Sequence, residues 1–317
     1  MRIAVLGAGG PAGVNVCRAL NDAGHDVYGQ DDNRDHLVWA EPFCTSTFGP
    51  LGAKLNDWGL DVVCAQPDSM VRWLSRQDVP KLMPSSRVIE RCQDKTQAIE
   101  RWSRLGLVRS SFVDVNEMRP PFWLRATSGA GARGATLIEN RVTAYHWVRY
   151  WQSRGVDWEF MAEEYLPGRD YCWSSLWHDG VLVAAFARER LEWIYPHLSP
   201  SGRTGTPSIS ETVHNHDVNE MGFKAVRAVD DRPNGIYCVD LREDKNGIPR
   251  PTEINAGRWA TTTPLYSELG VNLPDLHARL AVGDDIESLG NDIYPAGIRL
   301  SRHIDCGHVF TGVPVCA

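Results

Sequence analysis

The stretch CVDLREDKNGIPRPTEIN, residues 238–255, constrains the fold more than any other part of this 317-residue chain. Asn246-Gly247 between two extended runs signals a two-residue type I' turn, because both central positions need positive φ and these residues tolerate it. Such a turn pairs Lys245 with Ile248, and counting outward sets Asp240 directly opposite Glu253. Alternation from the turn makes this a non-hydrogen-bonded pair, with Cα atoms about 4.5 Å apart. Asn255, two residues on, shares their face. Pro249 and Pro251 fall where the N–H would point away from the partner strand, so they support the register.

Two carboxylates opposed on one face destabilise a hairpin unless something positive lies between them. Asp, Glu and Asn are hard oxygen donors suited to Mg2+. Asp240, Glu253 and Asn255 are therefore candidate metal ligands. The plainer alternative is a solvated acidic hairpin served by Arg242 and Lys245.

The N-terminus, MRIAVLGAGGPAGVNVCRALNDAGHDVYGQDD, reads as strand, tight turn, helix and second strand. Gly7, Gly9 and Gly10 follow the apolar run 3–6, and Pro11 stands where a helix begins. Asp31 or Asp32 lies at the distance where an acid would meet a ribose hydroxyl in a dinucleotide-binding fold. Pro11 and Ala12 depart from G-x-G-x-x-G at its third glycine, and every doubly wound sheet needs glycines at this turn. An NAD(P)-dependent oxidoreductase and a Rossmann-like half serving another purpose both remain open on this stretch.

The 43% hydrophobic content suffices for sizeable cores, and the formal charge of −7 argues against a general nucleic-acid or anionic-membrane surface. Eight cysteines without a C-x-x-C suggest reduced, buried thiols rather than a zinc knuckle or a disulfide framework. No apolar run approaches the roughly 20 residues that span a bilayer, so a cytoplasmic protein is inferred.

Strand-like runs alternate with helices up to about residue 85, as in a small α/β domain. A helix over 94–105 presents Ile99, Trp102 and Leu105 on one side. PPFWLRATSGAGARGATLIEN follows as strand, glycine-rich turn and strand; then come a helix carrying Tyr145, Trp147, Val148 and Trp151, and a long strand-like region. Residues 199–219 are polar and read as a long surface loop. His214 and His216 within it read as solvated side chains rather than a metal or substrate contact, and Trp151, Trp158, Trp173, Trp177 and Trp193 as core or interface residues, with stacking on a ring-bearing substrate the alternative.

In this order the pieces resemble the ATP-grasp superfamily over residues 1 to about 275, in particular carbamoyl-phosphate synthetase large-chain domains and carboxylate–amine ligases of the D-alanine–D-alanine ligase type. The resemblance implies an α/β (α+β) chain with a Rossmann-like domain at 1–90, a glycine-loop lid with its linker helix at 91–165, and a C-terminal antiparallel-sheet domain with the metal site at 166–317. It implies that the Rossmann-like domain holds no dinucleotide.

By the same resemblance Lys95, in a D-K pair opening a helix, reaches the ATP phosphates, and Arg125, on the strand before the glycine loop, contacts the nucleotide. The loop itself, with Ser128, Gly129, Gly131 and Arg133, would close over them, since glycine lets backbone N–H groups approach phosphate oxygens. EEYLPGRD matches the hinge segment: Glu163 faces the adenine amino group, the backbone of Glu164, Tyr165 and Leu166 contacts the adenine edge, and Asp170 takes the ribose hydroxyls. The family's metal ligands fall on Asp240, Glu253 and Asn255, the residues that the hairpin register reached independently.

The implied activity is ATP-dependent joining of a carboxylate to an amine or other nucleophile through an acyl phosphate, with one or two Mg2+ ions or Mn2+, giving ADP and phosphate. Arg188, Arg190 and Arg258 are the candidates around the acceptor carboxylate; for Arg188 and Arg190 the plainer alternative is a solvated strand edge. EINAGR carries one residue more than the usual E-x-N-x-R, which sets the role of Arg258 apart. Cys238 stands where some of these ligases have arginine, so either a compensating arginine comes from elsewhere or the chemistry differs. The partners implied are small molecules, with no membrane; a homodimer is one assembly open to the chain. A non-catalytic ATP-binding module on the same fold is the remaining alternative.

Overall fold

The computed structural model describes residues 1–51, 55–108, 118–127, 134–199, 201–303 and 307–312. Its first part is β1 (Arg2–Leu6), α1 (Pro11–Asp22), β2 (Asp26–Gln30), α2 (Arg34–Leu37), β3 (Ser46–Phe48), β4 (Val62–Ala65) and α3 (Asp68–Ser75). The strands form a parallel sheet in the order β3-β2-β1-β4. On β1, Ile3 and Val5 enter one hydrophobic cluster while Ala4 and Leu6 enter another. Burial on both faces explains why this strand is an unbroken apolar run rather than an alternating one.

The opening glycines are consumed by packing. Gly7 has φ +74°, and a Cβ there would lie 2.2 Å from Pro67 Cδ. A Cβ on Gly13 would lie 2.2 Å from the Gly7 carbonyl oxygen. The Gly9 N–H donates to Asp31 Oδ2 at 3.1 Å, so the acid at the ribose-binding spacing closes the loop instead.

Next come α4 (Ser86–Gln93) and α5 (Lys95–Arg104). Ser85 caps the first through Val88 N, and Asp94 caps the second through Thr96 N and Gln97 N, which gives the helix expected at 94–105. A three-stranded antiparallel sheet then runs β6-β5-β7, built from β5 (Phe122–Ala126), β6 (Thr136–Ile138) and β7 (Phe160–Glu164). Helix α6 (Arg141–Ser153) covers it.

The remaining strands are β8 (Asp170–His178), β9 (Val181–Trp193), β10 (Pro207–Val213), β11 (Gly235–Glu243), β12 (Pro249–Ala256), β13 (Arg299–His303) and β14 (Gly307–Thr311), with α7 (His216–Val229) and α8 (Leu273–Ala281). They form a seven-stranded antiparallel sheet in the order β12-β11-β8-β9-β10-β13-β14. Trp173 and Trp177 on β8 are fully buried, and Trp102 of α5 donates its indole N–H to the Ala225 carbonyl of α7.

The expectation of one long surface loop over 199–219 is corrected. Residues 207–213 are the strand β10, paired on both sides, and His216 opens α7 behind an Asn215 cap. Ser210 and Thr212 are buried polar residues satisfied by Tyr266 and by backbone carbonyls, which is why the segment reads as polar yet lies inside a sheet. Among the described residues six cysteines are free, and no helix is long and apolar enough to cross a membrane.

Candidate active site

The hairpin of β11 and β12 pairs Asp240 with Glu253, as its sequence predicts, by a different route. Its turn has three residues rather than two: Asp244 N–H donates to the Ile248 carbonyl, and Gly247 adopts φ +78°. This shifts the register by one, giving Arg242 opposite Arg250 and Leu241 opposite Pro251. A bulge between Asp240 and Leu241 leaves Thr252 as the extra residue and restores the predicted pair. β12 is the edge of its sheet, where prolines are tolerated.

These carboxylates open onto a cavity of about 390 Å³ between the two antiparallel sheets. Lys95, Arg125, Glu163 and Asp170 line it, as do Glu164, Tyr165 and Leu166 of the hinge segment. Arg190, Asp240, Glu253, Asn255 and Arg258 complete the predicted set. Ser128, Gly129, Gly131 and Arg133 of the glycine loop lie outside the described residues. Arg188 is not among the lining residues: it is 1% exposed and donates to Ser174 Oγ and Thr263 Oγ1 at 3.4 and 3.1 Å.

Arg125 of β5 and Lys95 of α5 both line the cleft. Arg125 is buried and holds Glu163 through two 2.8 Å contacts, Nε to Oε2 and Nη2 to Oε1. Its Nη2 also donates to the Thr252 carbonyl at 2.9 Å, the carbonyl of the bulge residue. Burial raises the Glu163 carboxyl above its ordinary value against the pull of Arg125. Burial likewise holds the Lys95 ammonium below the ordinary lysine value, with Glu253 opposing and Arg125 adding to the shift.

On the other side, Arg190 bridges two carboxylates, donating to Asp170 Oδ1 at 3.2 Å and Asp240 Oδ1 at 2.5 Å. Arg203 holds the second oxygen of Asp170 at 2.5 Å. Burial opposes the Arg190 charge, but Asp240 and Asp170 outweigh it and keep the guanidinium firmly protonated. Arg258 links Asp68 of α3, Nε to Oδ1 at 2.5 Å, to Asn255 Oδ1 at 2.6 Å. The inserted residue ahead of it is Gly257, with φ +82°. The arginine thus reaches the cleft despite the changed spacing.

Cys238 is buried behind the cleft, and burial pushes its thiol up to about 12. On β9, Arg190 meets Asp240, two residues beyond Cys238 on β11. Arg203, Arg242 and Trp193 also line the cleft. The sequence motifs place neither Arg203 nor Arg242 among the candidate site residues, and Trp193 enters only as one of several tryptophans open to stacking on a ring. Arg203 sits in the polar stretch SGRTG, and its only sequence signal was a basic residue among glycines.

Asp240, Glu253 and Asn255 offer two carboxylates and one amide, all oxygen donors, to a divalent cation. Guanidinium groups stand in for a cation on two of the three, Arg190 on Asp240 and Arg258 on Asn255. The donor set therefore fits Mg2+. Among the described residues no cluster of three His, Cys, Asp or Glu side chains makes a separate metal site.

No protein-family model matches the chain, and no curated protein is similar to it at a significant level. Solved structures are similar. The ADP complex of N5-carboxyaminoimidazole synthetase from Staphylococcus aureus superposes with a TM-score of 0.72 at 16% identity, over 95% of this chain and 82% of that one. The chain has the ATP-grasp fold. The biotin carboxylase domain of 2-oxoglutarate carboxylase from Hydrogenobacter thermophilus, a dimer crystallised with MgADP, ADP and bicarbonate, shares this fold with a TM-score of 0.69 at 14% identity, over 95% and 74% of the chains. L-amino acid ligase from Bacillus licheniformis gives a TM-score of 0.67 at 14% identity, over 94% and 78%.

Proposed function

We propose that the protein is an ATP-dependent ligase that activates a small carboxylate as an acyl phosphate and passes it to an amine or another nucleophile, releasing ADP and phosphate. One observation carries this reading: of the thirteen predicted site residues that the structure describes, twelve line a single cavity. They come from distant parts of the chain, so chance clustering is a poor explanation. The ADP- and MgADP-bound neighbours and the ligase among them support the same reading.

In this reading Glu163 and the backbone of Glu164 to Leu166 receive adenine, and Lys95 and Arg125 meet the phosphates. Both cations are desolvated at the cleft, where electrostatic attraction to phosphate is stronger than in bulk water. Asp240, Glu253 and Asn255 would hold Mg2+, which when bound neutralises charge on the phosphoryl oxygens. Arg258 orients the acceptor from the Asp68 side, where a guanidinium fork matches a carboxylate or an acyl phosphate. The neighbours' dimer supports testing for a homodimer.

The test measures ADP release with Mg2+ and ATP across a panel of carboxylates and amines, with wild type and Glu253→Ala, while NAD(P) is titrated in parallel. Substrate-dependent ADP release that Glu253→Ala abolishes is the expected result. Binding of NAD(P) without binding of ATP would overturn the proposal, and ATP binding without turnover on any substrate would favour a non-catalytic module.

A further inference from the structure

The Arg190 side chain is 8% exposed, yet it is committed to two carboxylates on neighbouring strands. One of them, Asp240, belongs to the set that offers oxygens to a divalent cation; the other, Asp170, is already held by Arg203. The four groups alternate in sign along a chain: Asp240, Arg190, Asp170, Arg203. A cation arriving at Asp240 competes with a guanidinium 2.5 Å from Oδ1, because two positive centres on one carboxylate repel each other.

Displacement does not strand Arg190, since its 3.2 Å bond to Asp170 survives. It does change the local balance. Arg190 and Arg203 then share one carboxylate, and Arg242 adds a third guanidinium on the cleft wall with no carboxylate within ion-pair distance among the described residues. An anion on the cleft side of these arginines would restore neutrality.

We infer that Arg190 is the resident counter-ion of Asp240, exchanged for the divalent cation during binding, so that cation and polyphosphate binding are thermodynamically coupled through this side chain. The inference rests on the nucleotide reading above. It goes beyond that reading in assigning an order: the nucleotide-free protein takes up a divalent cation poorly, and the nucleotide promotes its entry. By reciprocity the cation strengthens polyphosphate binding to the same extent.

Mn2+ binding followed by electron paramagnetic resonance tests this on the full-length protein, with and without ADP. Arg190→Gln removes the competing charge and is expected to tighten Mn2+ binding to the nucleotide-free protein about tenfold, and to shrink the ADP-induced gain by the same factor. Arg190→Lys keeps a charge that cannot bridge both carboxylates, so it is expected to fall between wild type and Arg190→Gln; it serves alone should the glutamine variant not fold. A Mn2+ affinity in these variants equal to or weaker than wild type overturns the inference. Asp240→Asn separates the two ideas. If it leaves Mn2+ binding with ADP intact, the metal reading itself fails; if it abolishes that binding while the Arg190 variants match wild type, only the exchange fails.

Discussion

Arg125 of the three-stranded sheet donates a 2.9 Å hydrogen bond to the carbonyl oxygen of Thr252, the bulge residue of the seven-stranded sheet. A bulge leaves one residue outside the ladder, and here its carbonyl anchors β5 to the hairpin of β11 and β12. Thr252 Oγ1 closes the other side by donating to the Asp240 carbonyl at 3.1 Å.

Arg125→Lys tests that anchor. Lysine keeps the charge but cannot hold Glu163 bidentately and reach Thr252 at once. ADP affinity is expected to fall about tenfold, as for loss of one charge-assisted hydrogen bond, measured by titration calorimetry. An unchanged affinity would show that the phosphates do not rely on this fork.

Arg258→Ala separates binding from chemistry. The guanidinium joins Asp68 to Asn255, and under the acceptor role proposed for it ADP binding is expected to stay within a few-fold of wild type. Turnover is expected to fall by about 10²-fold, the usual consequence of removing one donor from a charge-developing centre. Equal losses in both quantities would place Arg258 at the nucleotide instead.

Gly7→Ala tests why the chain opens with glycines. The residue needs φ +74°, and its new Cβ would collide with Pro67 Cδ. A loss of about 2 kcal/mol in urea unfolding is expected, from left-handed strain and overpacking together. Because the Gly9 N–H is taken by Asp31, calorimetric titration of NAD+ into wild type is expected to give no binding heat.

The turn carries a pH dependence. Burial pushes the Asp244 carboxyl up, but the backbone N–H groups of Asn246 and Ile248 and the Arg250 guanidinium outweigh it and hold it below its ordinary value. A depressed carboxylate stabilises the fold fully above its unfolded value, about pH 4, and loses that contribution as pH falls through the folded value. Asp244→Asn is expected to be less stable than wild type by about 1–2 kcal/mol at pH 7, with the gap closing as pH falls below the ordinary aspartate value of about 4. Urea unfolding at a series of pH values measures it; a gap that persists in acid would assign the effect to shape rather than charge.

Much of the site was legible because its motifs are local. Asp94-Lys95 is a helix cap with its first residue, and EEYLPGRD is a strand end running into the next strand. The Asp240–Glu253 pair was also legible, although the turn held one more residue than Asn-Gly implies and the bulge at Thr252 took the difference back. Arg188 shows the limit. Two residues from Arg190 on the same strand face, it lies inside the core, stacked at 5.5 Å on Phe186 and 5.6 Å on Tyr266. Alternation assigns a face and says nothing of depth along it.

The sequence by itself determined which elements form and which side chains share a face, since helix caps, glycine turns and alternation act over a few residues. It also determined the order of the nucleotide motifs along the chain. Only the tertiary structure decided the partners: Arg190 on Asp240, Arg258 between Asp68 and Asn255, Arg203 on Asp170, and the turn of residues 207–213 into an inner strand. Apart from Arg258 and Asn255, three positions apart, these pairings join residues 14 to 190 positions apart in the chain, with 33 for Arg203 and Asp170, 50 for Arg190 and Asp240 and 190 for Arg258 and Asp68. Charge attraction has no period in sequence, and which carboxylate an arginine meets is set by where packing places the strands that carry them.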